Sequence, residues 1–149
     1  MSTDTRAERA ATFLALHERG FVLPNVWDAG GARILASIGF PAIATTSAGI
    51  AWAAGVRDGG LIDRDEMLAH VAAIVAAVDV PVTADLEAGY GDQPEDVAET
   101  VARAVAIGVV GANIEDAADG RLFDIDVATD RIAAARSAAP RGTFVALRS

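Results

Sequence analysis

Val80-Pro81-Val82-Thr83-Ala84-Asp85-Leu86-Glu87-Ala88-Gly89-Tyr90-Gly91 is the stretch whose reading decides the fold. It starts as an apolar, β-branched run and ends in acids and glycines. Val80 to Leu86 reads as a strand, and Pro81 suits its beginning, where no ladder hydrogen bond is needed. Asp85 and Glu87 close it. Being two residues apart, they share one face of a continuing strand. Gly89-Tyr90-Gly91 follows, but lacks the third glycine of a G-x-G-x-x-G phosphate loop. Gln93-Pro94-Glu95 then opens a helix to Ile107, with proline at its first position and Gly108 as its stop. A buried strand thus runs through an acidic turn into a helix.

The same unit repeats on both sides. Upstream, residues 5–19 read as a helix, Phe21 to Val26 as a strand, and residues 30–38 as a short helix ending at Gly39. Ala42 to Thr46 reads as the second strand, followed by a polar, glycine-rich loop through Gly60. Asp63 caps a helix over 64–78, with Glu66 three residues on as a capping box. Downstream, Val109 to Ile114 is a strand, Asp126 to Ala138 a helix, and Thr143 to Leu147 a fifth strand. The order α(βα)4β predicts an α/β protein with a parallel sheet. A spacing of about 30 residues per unit matches the ~250 residues of an eight-fold TIM-type barrel. The fold class expected is therefore parallel (β/α) units of an incomplete TIM-type barrel, about five strands, over residues 1–149 as one N-terminal portion. A doubly wound sheet is the alternative, and the missing phosphate loops speak against it.

Composition narrows the function. The chain has 149 residues, 52% hydrophobic and 22% charged, which is the balance of a folded domain rather than a disordered one. There is no cysteine, so disulfides, thiolate metal sites and cysteine nucleophiles are excluded together. All 12 basic residues are arginines, none in a block, and the formal net charge is −9. A nucleic-acid partner, which demands a basic face, is not expected. Val71 to Val78, the longest apolar run, is too short to cross a bilayer. No secretory h-region follows Met1, so the expected location is cytoplasmic.

The acids are placed more informatively than they are counted. Asp28 follows strand one, Asp58 lies in the loop after strand two, Asp85 and Glu87 close strand three, and Glu115 and Asp116 close strand four. In a parallel sheet these ends lie on one side, the side where barrel active sites sit. Crowded carboxylates repel unless a cation joins them. An all-oxygen donor set favours Mg²⁺, or Mn²⁺ in its place, over zinc. Plainer readings stand beside this one. Asp28 could cap the next helix. Asp116 could be a solvated loop residue, and Asp58 could be turn chemistry. His17 and His70 lie within helices and read as packing or surface residues. Trp27 and Trp52 could line a pocket or pack in the core.

Five segments carry a resemblance. They are Leu23-Pro24-Asn25-Val26-Trp27-Asp28-Ala29-Gly30, Thr45-Thr46-Ser47-Ala48-Gly49, Gly55-Val56-Arg57-Asp58, Thr83 to Gly91, and Gly111-Ala112-Asn113-Ile114-Glu115-Asp116. Their content, order and spacing resemble the isocitrate lyase/phosphoenolpyruvate mutase superfamily. Asp-x-Glu-x-Gly-Tyr-Gly is the most specific piece. The resemblance implies Asp85 as the principal Mg²⁺ ligand, with Asp58, Glu87 and Glu115 holding metal-bound waters. It implies that Ser47, Ala48 and Gly49 offer hydroxyl and N–H groups to a substrate carboxylate. Arg148 would grip that carboxylate too, as bidentate arginine can. Arg148 and Asp58 are the catalytic candidates. The implied reaction makes or breaks a C–C or P–C bond next to a small 2-oxo acid or dicarboxylate, through an enolate.

The chain also departs from the superfamily. Where isocitrate and methylisocitrate lyases carry Lys-Lys-Cys-Gly after strand four, it reads Ala117-Ala118-Asp119-Gly120-Arg121-Leu122. Without Lys or Cys, that acid chemistry is not expected, leaving mutase, hydrolase or decarboxylase-like reactions. Five strands cannot close an eight-stranded barrel. The expectation is two open edges, with apolar interior faces in water, covered by another copy or by a complementary C-terminal half. The competing reading is a catalytically inactive remnant, or a metabolite-binding or oligomerisation module.

Overall fold

The computed structural model describes residues 5–59, 61–118 and 120–148, with the side chains of Thr5 and Arg148 outside that description. Its elements are α1 (Thr5–His17), β1 (Asn25–Val26), α2 (Ala29–Ser37), β2 (Ile43–Thr45), α3 (Ser47–Ala53), α4 (Arg64–Ala76), β3 (Val82–Asp85), α5 (Pro94–Ile107), β4 (Gly111–Glu115), β5 (Ala117–Ala118), β6 (Arg121–Leu122), α6 (Ile125–Ala138) and β7 (Phe144–Arg148). Five strands form one parallel sheet in the order β1-β2-β3-β4-β7. This is the incomplete TIM-type arrangement expected. Sequential strands pair side by side, as in a barrel, rather than reversing direction at a switch point.

Local chemistry explains the element ends. Asp63 accepts the Glu66 N–H at 2.9 Å and starts α4. Gln93 and Asp96 form a capping box at α5, with Pro94 behind them. Gly108 ends α5 in the left-handed region at φ 111°.

Three expectations change. The first strand shrinks to Asn25–Val26. The stretch after β2 is not a loop at first: Thr46 caps a seven-residue helix, α3, so Ser47 and Gly49 sit in its opening turn. Strand three ends at Asp85, and Glu87 lies beyond it at φ 48°. The alternation that put Asp85 and Glu87 on one strand face therefore does not apply to Glu87. Ala117–Leu122 also holds a small antiparallel hairpin, β5–β6.

The two sheet faces are built differently. Ile43, Val82, Ala84, Ala112 and Ile114 point to one side and meet Met67, Val71 and Ile74 of α4, Val97 and Val101 of α5, and Ala135 of α6. Each fully buried Val, Ile or Met side chain among them stabilises the fold by about 1.5–3 kcal/mol. The other face carries Ala44, Thr83, Asp85, Gly111 and Asn113 in register. The apolar interior expected from sequence is thus a small and polar one. A second cluster, Ala10, Phe13 and Leu16 of α1 with Ala42, Val110 and Phe144, closes the N-terminal ends of the strands. His17 packs there, 4.5 Å from Phe144 ring to ring, as a packing residue. Trp27 and Trp52 are exposed, so their core reading is dropped. Among the described residues no helix is long and apolar enough to cross a membrane.

Candidate active site

Asp85 ends β3 and is 4% exposed. Its N–H donates to Thr45 Oγ1 at 3.0 Å. Its Oδ2 accepts the Ser47 N–H at 3.2 Å and the Ser47 hydroxyl at 3.0 Å. Burying a carboxylate is costly unless donors meet it, and here Ser47 of α3 supplies two, while Thr45 of β2 accepts the Asp85 backbone N–H. The helix start makes this geometry: α3 begins immediately after β2, so its first amide turns toward the neighbouring strand's end. Gly49 lets the turn pack closely. A Cβ there would lie 2.7 Å from Thr46 Cγ2 and 3.0 Å from Trp27 Cβ.

Glu87 and Glu115 meet through the backbone. The Glu115 N–H donates to the Glu87 carbonyl at 2.8 Å, continuing the β3–β4 pairing past the strand. Glu115 in turn is in register with Arg148 at the end of β7. Asp58, exposed, borders the same open cleft of about 1270 Å³ as Arg57, Glu87, Tyr90 and Glu115. Asp85 is not on that cleft's wall.

Tyr90, on the wall of the same cleft, lies within the electrostatic reach of several of these acids. Burial pushes its phenol above the ordinary value, and the charges of Glu87, Asp85 and Asp58 push it the same way. One hydroxyl thus senses three of the four expected metal-site acids. Tyr90 also holds φ 60°, left-handed for a non-glycine. Sequence reading passed over it as part of a motif, although its place between two glycines in an acidic turn was a visible signal.

The other expected residues divide. Ser47 spends both recorded donors on Asp85, and Gly49 N–H donates to Thr46 Oγ1 at 3.4 Å. Ala48 sits half-buried between them. The Arg148 side chain lies outside the described residues. Asp28 caps α2, accepting the Gly31 N–H at 2.6 Å, which is its plainer reading. Asp116 is half-buried in a bend after β4, and its Oδ1 is buried with no hydrogen-bond partner among the described residues. No three Asp, Glu or His side chains among the described residues lie close enough to form a ready-made ion cage. Mg²⁺ does not need one, since it keeps several waters and takes one or two carboxylates directly.

Comparison with known proteins agrees with this geometry. The sequence profile of phosphoenolpyruvate phosphomutase matches residues 13–148. A crystal structure from Burkholderia cenocepacia J2315, provisionally assigned as a lyase/mutase, is 48% identical, covers 98% of this chain and 55% of that one, and superposes with a TM-score of 0.91. Phosphonopyruvate hydrolase, solved in complex with oxalate and Mg²⁺, is 26% identical over 98% of this chain and 52% of that one, with a TM-score of 0.85. The 2,3-dimethylmalate lyase of Eubacterium barkeri is 38% identical over 96 residues, 64% of this chain and 33% of that protein. The chain spans about half the length of the first curated relatives it matches. Family members are lyases and mutases of small acids. The match over residues 13–148, with the acids at the strand ends, places this chain in the phosphoenolpyruvate phosphomutase family.

Proposed function

We propose that the chain forms the metal- and acid-binding part of a Mg²⁺-dependent lyase or hydrolase that acts on a small 2-oxo acid or dicarboxylate through an enolate. The observation that carries this reading is the buried Asp85 carboxylate, fixed by Ser47 while Glu87 and Asp58 act on the same Tyr90 hydroxyl. The donor set is all oxygen, and the excess of negative charge fits a divalent cation. Asp85 would bind it directly, with Asp58, Glu87 and Glu115 holding its waters. When bound, Mg²⁺ supplies Lewis-acid stabilisation of developing oxyanion charge.

The chain's own groups do the rest. Ser47 holds the Asp85 carboxylate in place, and Thr45 holds its backbone N–H. Tyr90 remains a neutral phenol beside the acids and can donate a hydrogen bond without adding charge. The α3 opening turn, Ser47 to Gly49, and Arg148 are the proposed grip on the substrate carboxylate. Ser47 reaches that role only by sharing its hydroxyl with Asp85. The oxalate complex of phosphonopyruvate hydrolase supports a planar dioxo ligand. The absence of Lys and Cys favours mutase or hydrolase chemistry over the Lys-Lys-Cys-Gly route.

A second reading rests on the sheet itself. Among the described residues β1 and β7 each have one strand partner. A homo-oligomer or a complementary half would cover them, and the chain alone would then be a binding or assembly module. Calorimetric titration with oxalate, with and without Mg²⁺, tests the first reading. Magnesium-dependent binding that Asp85→Ala removes is the expected result. A folded chain that binds no oxalate under either condition would leave the second reading standing.

A further inference from the structure

The turn after β3 has an unusual backbone. Glu87, Gly89 and Tyr90 all have positive φ, at 48°, 89° and 60°. Left-handed non-glycine residues persist only where their surroundings over-determine them. Here those surroundings can be named, carbonyl by carbonyl.

The Leu86 carbonyl accepts the Gly89 N–H at 2.8 Å, and the Glu87 carbonyl accepts the Glu115 N–H. The next five carbonyls are all taken by helix side chains. Arg131 of α6 donates to Ala88. Thr100 of α5 donates to Gly89 at 2.8 Å. Arg64 of α4 donates to Tyr90 at 2.8 Å. Arg131 donates again to Gly91 at 2.9 Å and to Asp92 at 2.7 Å.

Arg131 is the centre of this arrangement. It is 1% exposed, and its guanidinium lies 4.5 Å from the Phe123 ring centroid. A fully buried arginine is rare without a compensating partner. This one spends its planar fork on three main-chain carbonyls of a single turn, about forty residues away in sequence. A peptide whose carbonyl is tied outward to the helix layer has its plane fixed. The side chains between such peptides are fixed with it. Tyr90 is such a side chain, between the tied Gly89 and Tyr90 carbonyls, and it stands on the wall of the acidic cleft.

We propose that Arg131 is a positioning residue: with Arg64 and Thr100 it clamps the 88–92 carbonyls to the helix layer and so presents Tyr90 to the acidic cleft. What that group then binds rests on the functional reading above. The clamp itself does not. Site geometry in this chain is therefore set partly from α6, behind the sheet, by a residue that does not line the cleft.

The chain has one tyrosine, so a ¹³C-labelled tyrosine ring reports on Tyr90 alone. Spectra of the wild type, Arg131→Lys, Arg131→Met and Arg64→Met are compared well below each melting temperature. The Tyr90 ring signals of the two methionine variants are expected to move toward random-coil positions and sharpen, with Arg131→Lys in between. Affinity for Mg²⁺ with oxalate should fall roughly tenfold or more in Arg131→Met, since each tenfold corresponds to about 1.4 kcal/mol. If Arg131→Met fails to fold, Arg64→Met and Arg131→Lys carry the decision. Tyr90 signals at wild-type positions in folded variants that merely melt earlier would overturn the proposal and leave Arg131 as a stabilising residue only. A wild-type chain that binds no Mg²⁺–oxalate removes the functional reading, and the Tyr90 signals still decide the clamp.

Discussion

Ser47 donates both its backbone N–H and its hydroxyl to one oxygen, Oδ2, of Asp85. The two residues are 38 positions apart and come from different β/α units. One end of the contact is the first turn of α3, the other the last residue of β3. The contact joins the stretch that the resemblance assigns to a substrate carboxylate with the residue that it assigns to the cation. The two roles share one oxygen's hydrogen bonds, so changes on either side should be felt on the other.

Ser47→Ala removes one of those two donors and leaves the amide. A hydrogen bond to a charged group contributes about 1.5–3 kcal/mol. Affinity for Mg²⁺–oxalate is expected to weaken roughly tenfold to a hundredfold by that magnitude, with the fold intact by circular dichroism. Unchanged affinity by calorimetry would show that Asp85 needs only the amide, or takes no part.

Tyr90 gives a pH prediction. Burial first, then Glu87, Asp85 and Asp58, hold its phenol above the ordinary value of 10.0. The folded state therefore keeps this proton more tightly than the unfolded chain. The stability it contributes is complete below the unfolded pKa and is lost as pH rises toward the folded one. Above pH 10 stability should drop by up to about 1.4 kcal/mol per pH unit from this group. Tyrosinate absorbance near 295 nm should appear together with loss of circular dichroism, because there is one tyrosine to report. Ordinary titration in an intact fold would contradict the burial. Tyr90→Phe should remove this part of the alkaline slope.

Gly49 tests the close approach beneath the site. An added Cβ would meet Thr46 Cγ2 at 2.7 Å and Trp27 at 3.0 Å. Gly49→Ala should therefore displace the opening turn of α3 and loosen Ser47 from Asp85. Overpacking of this kind costs about 1–3 kcal/mol. Thr46→Ser keeps the capping oxygen and deletes the offending methyl, so the double variant should regain part of the loss in urea unfolding. Additive losses would mean that the methyl is not the obstacle.

Much of this was legible in the sequence because it is periodic or capped. The Asp63 cap, the Gln93-Pro94 start and the Gly108 stop follow from local chemistry, and the structure has all three. The α/β alternation gave the parallel sheet. Other features depend on distant partners. Ser47-Ala48-Gly49 looked like loop because serine and glycine are poor helix formers, yet Thr46 caps a short helix there. Glu87 looked like strand because the apolar run suggested continuation, but Gly89 N–H closes a turn on Leu86. Arg131 carried no signal, since an arginine in an alanine-rich amphipathic helix normally faces water. Its burial against the distant 88–92 turn and Phe123 is a tertiary feature.

Gly111 offers the sharpest test of the closed end of the sheet. It begins β4 on the small, polar face, where α1 lays Phe13 across the strand ends. A Cβ at Gly111 would lie 2.8 Å from Thr83 Oγ1, 3.1 Å from Phe13 Cε1 and 3.2 Å from the Phe144 carbonyl oxygen. Thr83 can rotate, but the Phe144 oxygen belongs to the neighbouring strand and cannot yield without spreading β4 from β7. Gly111→Ala should thus cost about 1–3 kcal/mol despite alanine's lower unfolded-state entropy. Phe13→Leu in the same background should recover some of that, by withdrawing the ring edge, while on its own it destabilises. Urea midpoints of the four chains measure the coupling. A Gly111→Ala chain as stable as the wild type would mean that α1 does not seat Phe13 over β4, and that the strand ends opposite the acids are open rather than closed.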